Sequence, residues 1–484
     1  MTAVAPTKIS ARGAQARFAP RTSRRGRPRS GVPVDVDRAQ LQRAAAVRRE
    51  VRPLRWLLLG LPVWWALGVG TLAFPATAAV LAAQMLWRRT PLRGPKGFGL
   101  WLAFLVWVAV SAVALSWSSL PLAYLWRAAQ YLSATTIAVW IYVTPRHRLT
   151  AEAVTETLAR FWLVVVGAGW LGVIWPRVQF TSPFERLLPG LASNSFFRDL
   201  SHPSLAQVQA FLGFPIGRPN APFAYTNDWG AAYAICAPFF LSRWVFSADP
   251  ARRRHGRVLL ALSLVPAIVS LNRGMGLSLL VGLLSASFRR DAVGPVARRA
   301  LGLIVVTFAV AALLTPLGDL VADRSANPHS NAGRSALYAE SIRFANQRPI
   351  IGAGGPVAYV GDRLLPALGT QGQLWTVLVG QGYVGLGFFL GALFWFTKDT
   401  WRGPEVTRWC NVALLIAIVQ LPVYDGLPFP VIAMLLVAAL GARERRAASE
   451  AIESNDAAEP AGPAGPRQPA TAARRTARLA ELPA

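Results

Sequence analysis

The chain has 484 residues, 53% of them hydrophobic and 15% charged. A water-soluble chain of this length carries more charge around its core, so the composition argues against an ordinary soluble enzyme and for a bilayer as solvent. The formal net charge of +28 would suggest nucleic acid in a soluble protein, but here it is spread over tails and short loops, and no nucleic-acid partner is expected.

Residues 1–55 are rich in Arg, Ala, Pro and Ser, with Arg24, Arg25, Arg27 and Arg29 in one run. They hold too little apolar surface to fold alone, and a disordered basic cytoplasmic arm is expected. Within it, Arg38–Arg52 has two readings, a short helix on anionic headgroups or a solvated spacer. No cleavable signal peptide is visible, because the first apolar run begins near Trp56 behind this arm.

Over 56–441 the pattern predicts an all-α integral membrane domain of about 12 transmembrane helices. The spans fall at 56–72, 73–87, 98–117, 122–143, 158–175, 223–243, 258–271, 275–288, 300–316, 373–397, 409–423 and 428–441. Loop charge agrees with this count. The even-numbered connections carry Arg88, Arg89, Arg93 and Lys96, then Arg146 and Arg148, Arg252 to Arg254 and Arg257, Arg289, Arg290, Arg298 and Arg299, and finally Lys398, Arg402 and Arg408. The short odd-numbered connections carry almost none, as the positive-inside rule demands of a multi-pass chain with both termini cytoplasmic. Two long connections, near 176–222 and 317–372, face outside on this topology. Their Phe, Leu, Tyr and Trp recur at helix-like spacing, which predicts partly helical extracytoplasmic caps. Residues 442–484 lack periodicity and are expected to form a disordered cytoplasmic tail. Cys236 and Cys410 lie far apart in apolar surroundings, without zinc or redox spacing, and read as core filler.

Outer arginines are the anomaly. Arg177, Arg186, Arg198 and Arg218 lie in the first long loop, and Arg324, Arg334, Arg343, Arg348 and Arg363 in the second. Guanidinium groups hold phosphate or pyrophosphate through paired charge-assisted hydrogen bonds; the alternative is a weaker positional bias, since long loops translocate regardless of charge. Arg273, in Asn272-Arg273-Gly274, falls at a tight outer turn, where it either snorkels to headgroups or points into a cavity to meet an anion. Arg127, near the outer end of the fourth span, is a similar, weaker case. Asn331 precedes a helical run that lasts until Pro349 and puts Arg334 in its first turn, where the helix dipole disfavours a cation unless an anion is bound too. Gly352 and Gly354, in a glycine-rich turn, either aim N–H groups at phosphate or, as the spacing favours, re-enter the membrane. Asn227 and Asp228 suit capping of the sixth span, with acceptor binding or proton acceptance as a second role. His329 and His202 are outer histidines, solvated or serving as bases.

Four short segments share one side of the membrane. They are Arg218-Pro219-Asn220 with Thr226-Asn227, then Ser270-Leu271-Asn272-Arg273-Gly274, then Gly333-Arg334 through Tyr338 to Pro349-Ile350-Ile351-Gly352-Ala353-Gly354, and last Gly380-Gln381-Gly382-Tyr383-Val384-Gly385-Leu386. In their order, spacing and sidedness the chain resembles, over residues 50–440, the O-antigen ligase and O-antigen polymerase superfamily of bacterial membrane glycosyltransferases. The resemblance implies an enzyme of the bacterial plasma (inner) membrane in surface polysaccharide biosynthesis. It would move glycan from an undecaprenyl-diphosphate donor to an acceptor hydroxyl on the outer face, with no cofactor and no metal. Arg273 and Arg334 would then be catalytic, neutralising the departing pyrophosphate. Arg218, Asn220, Asn227, Tyr338, Gly352 and Gly354 would bind substrate.

The chain departs from the pattern where many ligases place a histidine, reading Gly369-Thr370-Gln371-Gly372-Gln373. Either His329, Asp228 or Glu340 supplies the base, or Gln371 orients the acceptor without one, or this branch has another activity. A polymerase is preferred to a lipid A ligase, which demands an outer membrane bearing lipopolysaccharide. The implied partners are the lipid-linked glycan, the bilayer and other polysaccharide-assembly membrane proteins. Two other classes stay open: a transporter of lipid-linked glycan, for which neither an intramembrane coupling charge nor an internal repeat is visible, and a noncatalytic assembly factor.

Overall fold

The computed structural model describes residues 34–115, 121–192, 195–211, 214–288, 328–357 and 367–458. The chain divides into two units, Met1–Ala44 and Ala45–Ala484. Of the first, only the opening of helix α1 (Val34–Leu59) is described; every later element belongs to the second.

Among the described residues the fold is helical apart from one hairpin and two isolated β-bridges. α2 (Leu61–Ala66), α3 (Ala73–Trp87), α4 (Phe98–Ser111, prolonged by a 3-10 turn at Ala112–Ala114), α5 (Pro121–Val143) and α6 (Ala151–Ile174) lead into three short helices, α7 (Pro183–Leu187), α8 (Pro189–Ala192) and α9 (Ser195–Ser201). Strands β1 (Ala206–Phe211) and β2 (Phe214–Pro219) pair antiparallel, with Gln207 opposite Arg218. α10 (Thr226–Phe240) runs into a π-turn (Leu241–Val245), followed by α11 (Pro250–Val269), α12 (Arg273–Phe288), α13 (Pro328–Gln347), α14 (Gln373–Thr400), α15 (Glu405–Gln420) and α16 (Phe429–Ala458).

Helix α16 is the centre of the bundle. From Val431 to Leu440 α16 is apolar all round and buried all round, the pattern of a helix enclosed by others. α5, α15, α14 and α10 pack on it, and α6 packs on α10, α4 on α14, α12 on α15 and α3 on α5. Aromatic rings fill the seams, as where Trp162 stacks on Phe240 with ring centres 4.0 Å apart. The outer faces are apolar too. On α4 and its 3-10 turn, Leu102, Val106, Val110 and Val113 recur on one exposed face, and Val258, Leu262 and Val265 do the same on α11. Trp87, ending α3, is 91% exposed.

Among the described residues two helices, α6 and α14, are long and apolar enough to cross a membrane; α3, Phe98–Ala114 and α12 are apolar but shorter. For these three the cause is length, 15, 14 and 16 residues in α3, α4 and α12, about 21–24 Å of helix against a hydrocarbon core of about 30 Å; α5, α11 and α16 are longer, with 23, 20 and 30 residues, but carry more polar and charged residues. The span expected at 300–316 lies outside the described residues.

Several boundaries differ from the expectation. Helix α1 runs through Arg38–Arg52, the helical one of the two readings of that stretch, and so covers the end of the arm expected to be disordered up to residue 55; Val51 and Leu54 are buried in the bundle's core, which supplies the burial the arm's composition lacks. α16 continues past Gly441 to Ala458, into the tail expected to be disordered. Polar contacts hold it there: Arg443 donates to the carbonyls of Ile141 at 3.0 Å and Thr144 at 3.2 Å, Glu444 pairs with Arg146 at 2.7 Å, and Arg445 pairs with Asp399. The first long loop, expected to be partly helical, also contains the hairpin. In β1, Gln207 and Gln209 alternate with Ala206, Val208 and Ala210, a period of two that signals a strand.

Candidate functional site

Helices α3, α5, α10, α12, α14 and α16 begin at one end of the bundle, around a cavity of about 960 Å³. Thr71 and Phe74, Trp126 and Arg127, Asn227 and Asp228, Asn272 and Arg273, Thr370 and Gln371, and Asp425 and Leu427 line it from those six starts. Each helix start places the positive end of its dipole here, so this end is electropositive before any side chain is counted; the N–H groups of Thr226, Met275, Gln373 and Leu374 are already bonded, and the dipoles rather than free donors supply that field.

The hairpin and two of these starts are tied together by polar contacts. Thr226, opening α10, donates its hydroxyl to the carbonyl of Pro219 at 2.5 Å, and its backbone N–H goes to Oε1 of Gln207 at 3.0 Å. Asn272 donates its amide to the Thr226 carbonyl at 3.1 Å, and Arg218 donates Nε to the Ser270 carbonyl at 2.7 Å. Between Ser270 and Asn272, Leu271 has φ +49°, the left-handed region that costs a residue with a Cβ about 1–2 kcal/mol. That turn starts α12 with Arg273 at its first position. Among the described residues the Arg273 side chain makes no hydrogen bond or ion pair, which leaves its guanidinium to the cavity.

The opposite wall is also knitted. Met275 donates its backbone N–H to the Tyr424 hydroxyl at 2.8 Å, and Gln373 donates its backbone N–H to the Tyr424 carbonyl at 2.7 Å. The Gln373 side chain donates to the Tyr131 hydroxyl at 2.6 Å and accepts from the N–H of Gly426 at 3.2 Å. Arg127, 8% exposed, donates to the Gly369 carbonyl at 3.1 Å. Asp425 lies within electrostatic reach of Arg127, and its Oδ1 is buried without a hydrogen-bond partner among the described residues. Burial pushes the Asp425 carboxyl above the ordinary carboxylate range, and Arg127, with the N–H groups of Leu427 and Gly426, draws it part of the way back.

Of the residues singled out from sequence, the cavity gathers Arg218, Asn227, Asp228, Arg273 and Gln371, together with Arg127. Others have structural work elsewhere. Asn220 is fully buried and braces the loop before α10, donating to Ser204, Phe223 and Ala224. Tyr338 stacks on Trp375 with ring centres 4.5 Å apart and donates to the Pro422 carbonyl at 3.2 Å. The turn at Gly352 and Gly354 does not present free N–H groups to a phosphate: Gly352 donates to Arg348, Ala353 to Val379 and Gly354 to Gly380. His202 lies 3.1 Å from Glu185, and Glu340 accepts from Arg343 at 3.2 Å. Arg334 and His329 belong to α13, with side chains outside the described residues.

Asp425 and Tyr424 line the cavity without standing out in the sequence. The available signal was modest: Asp425 is the one acid between the last two apolar segments, in a connection notable only for its lack of positive charge. Gln207 and Asp199 also line the cavity, from a loop whose hairpin brings them to α10. Compared with known proteins, the chain matches no family model and no curated protein.

Proposed function

We propose that this chain is a multi-pass membrane glycosyltransferase, similar to O-antigen polymerases and ligases, that moves glycan from an undecaprenyl-diphosphate donor to an acceptor hydroxyl. The observation that carries this reading is the lining of one cavity by Arg127, Arg218 and Arg273, by six helix starts, and by the carboxylates of Asp228 and Asp425. Such transfer needs both kinds of group. The acceptor oxygen bonds to the anomeric carbon as the bond from that carbon to the diphosphate breaks, and negative charge grows on the departing diphosphate. Arginines and helix N-termini aimed at that charge stabilise it. The acceptor proton goes to a carboxylate, Asp425 or Asp228, which fills the role left open by the absent histidine. Trp65, Phe74, Trp126 and Phe223 supply apolar walls suited to sugar faces and the lipid chain.

The membrane part of the proposal rests on apolar exposed helix faces, the kind of surface that a bilayer covers. It also rests on charge: Arg88 and Arg146 follow the C-termini of α3 and α5, at the ends away from the cavity. At about 1.5 Å per residue, the 23 residues of α5 run about 35 Å, a length that matches the thickness of a bilayer's hydrocarbon core. On this reading the cavity opens outside and both termini are cytoplasmic, in a bacterial plasma membrane, with polysaccharide-assembly proteins as partners.

The test is transfer of labelled glycan from undecaprenyl diphosphate by purified protein in detergent, comparing wild type with Arg273→Ala and Arg334→Ala. Wild type is expected to extend the lipid-linked chain, and Arg273→Ala to lower the rate about 100-fold or more, the scale of a lost transition-state charge contact. Equal rates for both variants and wild type would remove the arginines from the mechanism. No product with several donors would turn the reading to transport or assembly.

A further inference from the structure

At the far end of α10, away from the first cavity, the π-turn meets the starts of α6 and α11 around a second cavity of about 510 Å³. Arg55, Arg160, Arg243 and Arg252 line it, with Glu152, Glu156 and Trp244. Four guanidinium groups thus face two carboxylates. Glu156, 9% exposed, is shared: Arg160 reaches it at 2.9 Å, Arg252 pairs with it, and Arg243 lies 3.8 Å away while holding Glu152 at 3.2 Å. Arg252 also lies over the Trp244 ring, 4.8 Å from its centre.

Arg55 is left without an ion pair among the described residues. Its Nε, the Nε of Arg243 and the indole N–H of Trp244 are buried donors with no hydrogen-bond acceptor among those residues. Burial, and after it the neighbouring Arg160, push the Arg55 guanidinium below its usual range. Surplus positive charge and buried donors without acceptors are both destabilising, and an anion with several acceptor oxygens would offset them. The π-turn adds to this. It is a costly local conformation that recurs at functional sites, and here it carries both Arg243 and Trp244 into the cavity wall.

We infer that this second cavity binds a phosphate group, supplied by the phosphodiester of an anionic phospholipid headgroup or by free phosphate. Trp56, beside Arg55 and 57% exposed, favours the lipid source, since tryptophan marks the level of the headgroups. That source rests on the membrane reading above; the anion site itself does not.

The experiment is thermal unfolding of the purified full chain in detergent, titrated with phosphatidylglycerol, phosphatidylcholine and inorganic phosphate. Phosphatidylglycerol is expected to raise Tm saturably and phosphatidylcholine not to. Arg55→Gln is expected to weaken the apparent affinity about tenfold or more, the size of one lost charge-assisted hydrogen bond, while Arg273→Ala leaves it unchanged. Should Arg55→Gln fail to fold, the half-exposed Arg160→Gln is expected to show the same weakening. Saturation by inorganic phosphate with the same variant sensitivity would support the site and identify the free anion as its ligand. Equal shifts with both lipids, no saturable shift with phosphatidylglycerol or phosphate, or affinity unchanged in the folded variants would overturn it. None of these readouts needs glycan transfer, so failure here leaves the transferase proposal standing, and failure of transfer leaves this site standing.

Discussion

Asp425 combines three properties that seldom coincide: a place in the lining of the cavity, an oxygen without a partner among the described residues, and a raised pKa. A base works only when deprotonated, so transfer dependent on Asp425 falls as pH drops through its raised pKa, above the pH at which an ordinary carboxylate would impose that limit. Asp425→Asn is expected to lower turnover about 100-fold or more and to abolish this acidic limb, read from the rate against pH. The sign for stability is opposite. Because the folded state raises this pKa, it binds the proton more tightly than the unfolded chain does, and stability declines as pH rises from the unfolded value through the folded one. Asn mimics the protonated form, so Tm at neutral pH is expected to hold or rise. A variant with lower Tm and unaltered pH profile would make Asp425 a structural residue. Arg273 was legible from its place at a tight turn between two apolar segments. Asp425 was not, because an isolated acid in a short connection has no sequence periodicity to distinguish it from a solvated one.

Helix α14 is interrupted at Gly382, with φ +67°, and the break would leave carbonyls of the preceding turn without donors. The turn at Gly352 and Gly354 takes that place, donating Ala353 to Val379 at 2.9 Å and Gly354 to Gly380 at 2.8 Å, while Tyr383 donates to Pro349 at 2.8 Å. Trp107 fastens the junction through the Ile350 and Gln381 carbonyls, at 3.1 and 3.0 Å. Both glycines are required at the contact. A Cβ on Gly352 would lie 2.6 Å from the Val379 carbonyl oxygen, and one on Gly382 2.6 Å from that of Pro349. Gly352→Ala and Gly382→Ala are each expected to destabilise by about 1–3 kcal/mol, the cost of strained backbone, measured as a lower Tm with wild-type donor binding in the survivors. Selective loss of phosphate affinity with unchanged Tm would instead restore the phosphate-loop reading of Gly352 and Gly354. That the segment turns is evident from its glycines. What the turn docks on is not, since a hydrogen-bond register between distant segments leaves no local trace.

For the whole bundle, the alternation of arginine between connections predicts that residues beside the two cavities face opposite sides of a membrane. The two native cysteines are buried in the core and therefore silent to an impermeant thiol reagent. In intact cells, Arg186→Cys, in the exposed cap, is expected to react from outside, and Arg402→Cys, after α14, only once the membrane is opened. Reaction of both from the same side would remove the multi-pass reading. The apolar segments, most of their ends, and the arginines flanking them follow from composition and periodicity, because helix burial and charge placement depend on local chemistry repeated every few residues. The hairpin register, the continuation of α16 through Arg443 and Glu444, and the gathering of Arg127, Arg218, Arg273 and Asp425 around one cavity were decided only by tertiary structure. Each depends on which distant segments meet, at the helix starts for the cavity and at the end of α5 for Arg443 and Glu444, and that meeting is a property of how the chain packs together, with no signature in any single stretch of sequence.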